Sequence, residues 1–217
     1  MKQYKHSRLL ALLLAAALLC AALCGCSGAE EADGGAADRG NVQGTAQEGT
    51  AQGTGAAANA NAEPGSWAIY WYLCGSDLES NYGAATTDIY EAMQVALPEN
   101  VKVVIQSGGA NEWQNEVISA EQMERYVLES NNFEKIGELP DASMGDAQTL
   151  TEFLEFCTQN YPAEHRMLVF WNHGGGSISG VAFDERHDYD SLSLGEIYNA
   201  LSTVFPDPQT QPFDIVG

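Results

Sequence analysis

Long apolar runs along this chain predict the strands of its central sheet. Met167–Trp171 and residues 67–74 (WAIYWYLC) are unbroken apolar runs, and Val101–Ile105 is rich in β-branched residues. Apolar runs without polar alternation are typical of strands that are buried on both faces of a parallel sheet. Each run ends at a turn of small and polar residues, so we predict central strands whose carboxyl ends open onto loops.

The segments between these strands predict helices and one hairpin. Ala84–Leu97 carries its apolar residues on one helical face and stops at Pro98. Asp146 is a suitable N-cap for a helix through Cys157, in which apolar residues recur at helical spacing. Residues 125–139 (RYVLESNNFEKIGEL) alternate apolar and polar positions around two asparagines, which predicts a β-hairpin.

The last part of the chain predicts one more helix and one more strand. Ser193 and Glu196 have the spacing of a capping box, and residues 213–217 (FDIVG) begin a strand. Strands that alternate with helices give right-handed parallel crossovers. We therefore predict an α/β fold, a three-layer α/β/α sandwich with a mainly parallel sheet. A strand at the last residue indicates that the domain, residues 67–217, is incomplete at its C-terminus.

The first 25 residues predict a bacterial lipoprotein signal peptide. A basic n-region precedes the apolar run Leu9–Cys24, which is too short to span a bilayer. The sequence LCGC at its end resembles a lipobox, which implies cleavage before Cys26 and a lipid on the sulfur of that residue. The alternative is an ordinary signal peptide that is cut near Ala21 or Gly28.

Residues 26–66 predict a disordered linker. Apart from a single valine they lack large apolar residues and are rich in Ala, Gly, Gln and Thr, so they cannot bury enough surface to offset the entropy of ordering. A flexible coil of this length reaches roughly 35 Å. We therefore expect a domain that is tethered to the cell envelope through a lipid on Cys26 and faces outside the cytoplasm.

Charge and cysteine content exclude several classes of function. Without the basic residues of the n-region, six Lys or Arg stand against 30 Asp or Glu, a net charge of −24. Such a surface repels nucleic acid and anionic lipid, and it attracts cations. Cys74 and Cys157 are the cysteines of the predicted domain, too few for a disulfide framework. We predict that both are packed thiols and not nucleophiles.

The turn after Met167–Trp171 carries the best candidate for chemistry. Asn172 and His173 are followed by three glycines, and open α/β sheets bind their ligands beyond the carboxyl ends of strands. Glycines accept backbone angles closed to other residues and let a ligand approach main-chain N–H groups. A surface histidine in an ordinary strand-terminating loop remains the alternative, because the motif is short.

Four segments in order resemble the clostripain family of cysteine peptidases, which belongs to the caspase-like clan. They are WAIYWYLCGSDLES, then MLVFWNHGGG, then GVAFDE with the helix start that follows, and FDIVG. The resemblance covers residues 67–217. It implies a caspase-like fold, truncated before the strand that leads to the catalytic cysteine is complete.

The resemblance also implies a catalytic dyad. His173 matches the family's histidine, which acts as general base and then protonates the leaving amine. Gly174 matches the glycine whose N–H holds the developing oxyanion. The cysteine is expected in an Asp-x-Cys segment shortly beyond Val216, with the acidic residue that receives a basic P1 side chain. The 217 residues are therefore expected to lack the nucleophile and to be inactive by themselves.

Acidic residues near the predicted site have weaker assignments. Asp77 and Glu79 follow the first strand and are candidates for lining the substrate cleft, with turn capping as the alternative. The clostripain resemblance makes Ca²⁺ a candidate cofactor. The acidic loop of residues 184–190 has carboxylates of the kind calcium accepts, but it lacks EF-hand spacing, and a solvated acidic loop is favoured. We assign no metal ligands.

Two classes of function fit these features. The first is the N-terminal part of a clostripain-like cysteine endopeptidase that acts on proteins or peptides and cleaves after basic residues. The second is a non-catalytic surface lipoprotein that uses the same fold for binding. Lipobox, linker and acidic domain are compatible with both.

Overall fold

The computed structural model describes residues 62–130, 132–209 and 211–217. The predicted signal peptide, the lipidation site at Cys26 and most of the linker lie outside these residues. No helix in the described part of the chain is long and apolar enough to cross a membrane.

The described residues form eight strands and five α-helices. The elements are β1 (Trp67–Cys74), α1 (Ser76–Tyr82), α2 (Ala84–Met93), β2 (Val101–Gly108), β3 (Met123–Glu129), β4 (Asn132–Leu139), α3 (Ala147–Asn160), β5 (His165–Trp171), α4 (Gly176–Ser179), β6 (Val181–Asp184), β7 (Asp190–Leu192), α5 (Leu194–Val204) and β8 (Ile215–Val216). A short 3-10 helix, Glu185–His187, joins β6 to β7.

The main sheet has six strands in the order β4-β3-β2-β1-β5-β8. β1 pairs in parallel with both β2 and β5, and β5 pairs in parallel with β8. The predicted hairpin forms the antiparallel pair β3–β4 at one edge. The prediction of an α/β fold with a mainly parallel sheet is confirmed.

Helices cover both faces of this sheet and make the three layers. One core lies beneath α3 and α5 and includes Tyr70, Tyr72, Phe153 and Leu168. The other lies beneath α2 and contains Ile89 together with side chains from β1, β2 and β3. Burial of these large apolar side chains is the main favourable term in the fold.

The predicted cap residues begin the helices α3 and α5. Asp146 caps α3 by accepting a hydrogen bond from the N–H of Gln148. Ser193 and Glu196 form the predicted capping box at the start of α5. A side-chain cap of this kind contributes about 1 kcal/mol.

Three expectations about the elements were wrong. The helix from Ala84 ends at Met93 and not at Leu97, because the N–H groups of Gln94 and Val95 bond only three residues back and tighten the last turn. The turn after β1 is the helix α1, too short to show apolar periodicity. β5 is central in the sheet but not buried on both faces. Leu168 is fully buried, whereas Met167 and Val169 on the opposite face are only half-buried.

Candidate active site

The strand order creates a crevice at the carboxyl ends of β1 and β5. The chain leaves β1 toward β2 on one side, and β5 and β8 lie on the other side. The loops that follow β1 and β5 therefore diverge, and such a switch point is where open α/β sheets bind ligands. α1 follows β1 here, and the glycine-rich turn follows β5.

His173 and Asp77 meet across this crevice. The Nε2 of His173 lies 2.9 Å from the Oδ1 of Asp77. A carboxylate only accepts hydrogen bonds, so Nε2 is the donor and Nδ1 keeps its lone pair when the ring is neutral. The side chains are 48% and 30% exposed, so the pair is open to solvent and substrate. The arrangement is that of an imidazole held by a carboxylate.

The environment of Asp77 keeps its carboxylate charged. Partial burial raises the pKa of Asp77, but hydrogen bonds from His173 and Ser76 outweigh this effect and lower the pKa. The Ser76 hydroxyl donates to Asp77 Oδ1 over 3.1 Å. Ser76 is buried and has a φ of 52°, a left-handed conformation that is unusual for a side-chain-bearing residue. Such conformations concentrate at functional sites.

The three glycines after His173 differ in their roles. Gly176 has a φ of 63°, so it alone of the three has the left-handed conformation. Gly175 is sterically required, because a Cβ there would lie 2.5 Å from the Cβ of Ser179. A Cβ at Gly174 would meet no atom within 4 Å. Gly176 therefore uses the backbone freedom of glycine, Gly175 needs the missing side chain, and open space lies beside Gly174.

Asp77 and Glu79, predicted together as cleft residues, have different surroundings. Glu79 is fully buried and accepts hydrogen bonds from the N–H and hydroxyl of Thr86 and from the N–H of Gln114. Its carboxylate ties the start of α2 to the loop before β3, so it is not available to a substrate. Loss of the Glu79 carboxylate would leave buried donors without their acceptor, and each such donor costs about 1–3 kcal/mol. This cost indicates a structural role for Glu79. The turn-capping alternative describes Glu79 better.

The described cysteines are both free and fully buried. Burial raises the pKa of the Cys74 thiol, and the nearby Asp184 raises it further. Burial also raises the pKa of Cys157. Attack requires an accessible thiolate, so the interpretation of both residues as packed thiols is confirmed.

The acidic loop does not form a calcium cage. Asp184 is buried and accepts hydrogen bonds from the N–H groups of Met144 and Arg186. Glu185 binds the Ser80 hydroxyl and the Asn111 N–H instead. Within the described ranges, no group of three or more His, Cys, Asp or Glu side chains is arranged to hold a metal ion. The carboxylates of this loop thus do not fit the calcium site that the resemblance allows, and we derive no step from it.

A second histidine–aspartate pair lies at the opposite end of the sheet. His165 opens β5, and its Nδ1 lies 3.3 Å from Asp214 Oδ1. The ring stacks on Trp67, with centroids 4.7 Å apart. His165 is therefore far from the carboxyl edge of the strands, and its pair offers a control for His173 and Asp77.

One feature of the site was missed in the sequence. Asn172 stands directly before His173, and its side chain binds the main chain of β1 and of β6. The sequence places an asparagine in the turn, but it contains no signal for these distant partners.

Comparison with known proteins identifies a family and a fold. The clostripain family (peptidase family C11) matches residues 71–217. Clostripain from Hathewaya histolytica is 43% identical over 75 residues, which cover 29% of this chain and 14% of clostripain. A secreted C11 cysteine protease from Bacteroides thetaiotaomicron, solved with an irreversible peptide inhibitor, superposes with a TM-score of 0.51 at 18% identity. That match covers 70% of this chain and 41% of the protease.

The structural match supports a shared fold, and the sequence match supports common descent. This chain spans less than half the length of both relatives. The family match, however, covers more than half of the chain and includes β5, His173 and β8. The chain belongs to the clostripain family.

Proposed function

We propose that the full-length protein is a cysteine endopeptidase in which His173 is the catalytic base. The observation that carries this proposal is the His173–Asp77 pair, 2.9 Å apart, at the switch point of a clostripain-family sheet. A general base held by a second group is the arrangement that activates a nucleophile in covalent catalysis.

The nucleophile is proposed to follow β8. β8 lies beside β5 in parallel, with Met167 opposite Ile215, so a residue soon after β8 emerges at the same edge as His173. Cys74 and Cys157 are too deeply buried for this role. The 217 residues by themselves are accordingly proposed to be inactive.

The proposed reaction needs one proton carrier and one oxyanion donor. His173 accepts the thiol proton, and the thiolate attacks the scissile carbonyl. Collapse of the tetrahedral intermediate breaks the C–N bond, and His173 returns the proton to the leaving amine. Water then attacks the thioester carbonyl and gives a proton to His173. The C–S bond breaks, which releases the acid product, and His173 returns the proton to the thiolate. The N–H of Gly174 is proposed to bind the oxyanion, where the space beside its Cα leaves room for a substrate.

Family resemblance and charge favour basic substrates. The net charge of the whole chain is −21, which attracts cationic peptides. We expect the full-length protein to cleave peptides with Arg or Lys before the scissile bond, and to leave matched peptides with Asp or Leu intact. The measurement is a fluorogenic panel that differs only at that position, with and without a thiol alkylating reagent. If no peptide of the panel is cleaved, the peptidase proposal is wrong and the non-catalytic binding lipoprotein is favoured.

The protein is further proposed to be anchored outside the cytoplasm through Cys26. The lipobox-like LCGC supports this proposal, and the Bacteroides relative is a secreted protease. We expect cells to incorporate labelled fatty acid into the wild-type protein and not into Cys26→Ser. Equal labelling of the two proteins would exclude Cys26 as the lipid site.

A further inference from the structure

The side chain of Asn172 makes three hydrogen bonds to main-chain groups on two different segments. Its Nδ2 donates to the carbonyl of Cys74 over 2.7 Å and to the carbonyl of Phe183 over 3.4 Å. Its Oδ1 accepts from the N–H of Phe183 over 2.9 Å. The carboxamide supplies both the donor and the acceptor for these bonds, whereas a carboxylate would oppose two carbonyl oxygens.

These bonds continue the sheet one residue beyond its last main-chain pair. The parallel register of β1 and β5 ends at Leu73 opposite Trp171, and the Asn172 carboxamide then reaches the next residue, Cys74. On its other side it pairs with Phe183 in β6, next to Ala182, which has a φ of 59°. Asn172 therefore joins the ends of β1, β5 and β6.

The catalytic pair follows the ends of β5 and β1, which Asn172 joins. His173 is the next residue after Asn172, and Asp77 lies three residues after Cys74 in the first turn of α1. The bond between Asn172 and Cys74 thus fixes the distance between the end of β5 and the end of β1. His173 and Asp77 extend from these two ends. The side chains of the pair are themselves 48% and 30% exposed.

We propose that Asn172 is a positioning residue, whose carboxamide holds His173 in register with Asp77 by joining the carboxyl ends of β1 and β5 to β6. This inference rests on the proposed function for its catalytic consequence. Its geometric part, the coupling of Asn172 to the His173–Asp77 bond, is independent of activity.

The catalytic test uses Asn172→Ala in the full-length protein. We expect kcat to fall about ten- to a hundredfold with little change in KM, because small displacements of a catalytic group have effects of this size. Asn160→Ala is the matched control, since Asn160 also donates to a main-chain carbonyl, at the exposed end of α3. That variant should keep wild-type kcat.

A double variant separates positioning from general damage. If Asn172 acts through the pair, adding Asn172→Ala to Asp77→Ala should lower kcat by no more than about threefold further. Losses that multiply in full would overturn the inference. If Asn172→Ala does not fold, the isosteric Asn172→Asp, which keeps the bond from Phe183 but loses the one to Cys74, takes its place in the same cycle.

A second measurement does not depend on activity. Titration of the Asp77 carboxyl carbon by NMR in the 217-residue chain should show its pKa rising toward the ordinary value in Asn172→Ala, because the bond from His173 that lowers it is weakened. An unchanged titration would overturn the inference. A shifted titration in a protein whose full-length form cleaves no peptide would instead remove the proposed function and leave the positioning role intact.

Discussion

Replacing His173 with alanine is expected to lower kcat/KM of the full-length protein by about 10³-fold or more. The imidazole is the group proposed to take the thiol proton and to return it to the leaving amine. Without it the thiol remains largely protonated at neutral pH and the amine leaves without a proton. The measurement is steady-state cleavage of an Arg-containing peptide by wild-type and variant proteins.

The second histidine of the sheet provides the control for this prediction. His165 also lies near an aspartate, but at the amino ends of the strands, 3.3 Å from Asp214. His165→Ala should retain activity within a few-fold of wild type. Both variants replace half-exposed rings, with side-chain exposures of 48% and 38%, so large differences in folding are not expected. Unchanged cleavage by His173→Ala would exclude it as the catalytic base.

Asp77→Asn is expected to lower kcat about ten- to a hundredfold, and by more than Asp77→Ala. The carboxylate accepts from Nε2, so the neutral ring keeps its lone pair on Nδ1 for the proposed nucleophile. An asparagine amide can donate to Nε2 and favour the opposite tautomer, with the proton on Nδ1. In the alanine variant, water can replace the acceptor. This order of activities would not arise if Asp77 only bound a cationic substrate, because both variants remove the charge.

The pH dependence of this contribution has a definite sign. The pKa of Asp77 in the folded protein is lower than the ordinary value of about 4, so the carboxylate is charged at and above that pH. Its support of His173 is therefore present throughout the neutral range and is lost as the pH falls through the lowered pKa. Pre-steady-state and steady-state pH profiles of Asp77→Asn should show lower rates without a new transition near neutrality.

Asp214→Asn is the matched control for Asp77→Asn. Asp214 interacts with a histidine and accepts from the N–H of Arg166, a bond that an asparagine oxygen can retain. We expect near wild-type kcat from this variant. An equal loss of activity in both aspartate variants would show that general stability, and not the orientation of His173, explains the effect of Asp77→Asn.

Most of the secondary structure followed from local sequence. The apolar runs became β1, β2 and β5, the alternating segment became the β3–β4 hairpin, and Asp146 and Ser193 start α3 and α5. Such features are predictable because propensity, caps and side-chain periodicity act over a few residues. α1 was missed because seven residues are too few to show a helical period.

The acidic residues show where prediction from local sequence fails. Asp77 and Glu79 are two positions apart and were given one role, but one points to His173 and the other is buried against Thr86 and Gln114. The carboxylates from Asp184 to Asp190 look like one cluster in sequence, yet Asp184 and Glu185 bind different segments. On a helix or a tight turn, neighbours in sequence face different directions, and spacing alone does not say what each direction contains.

The sequence by itself determined the strands of the main sheet, the caps, the glycine-rich turn and the histidine at the end of an apolar strand. Only the tertiary structure decided what that histidine contacts. His173 and Asp77 are 96 residues apart, and Asn172 and Cys74 are 98 apart. These pairs exist because β1 and β5 are neighbours in parallel register, and strand order depends on how the whole chain buries its apolar surface rather than on any local pattern.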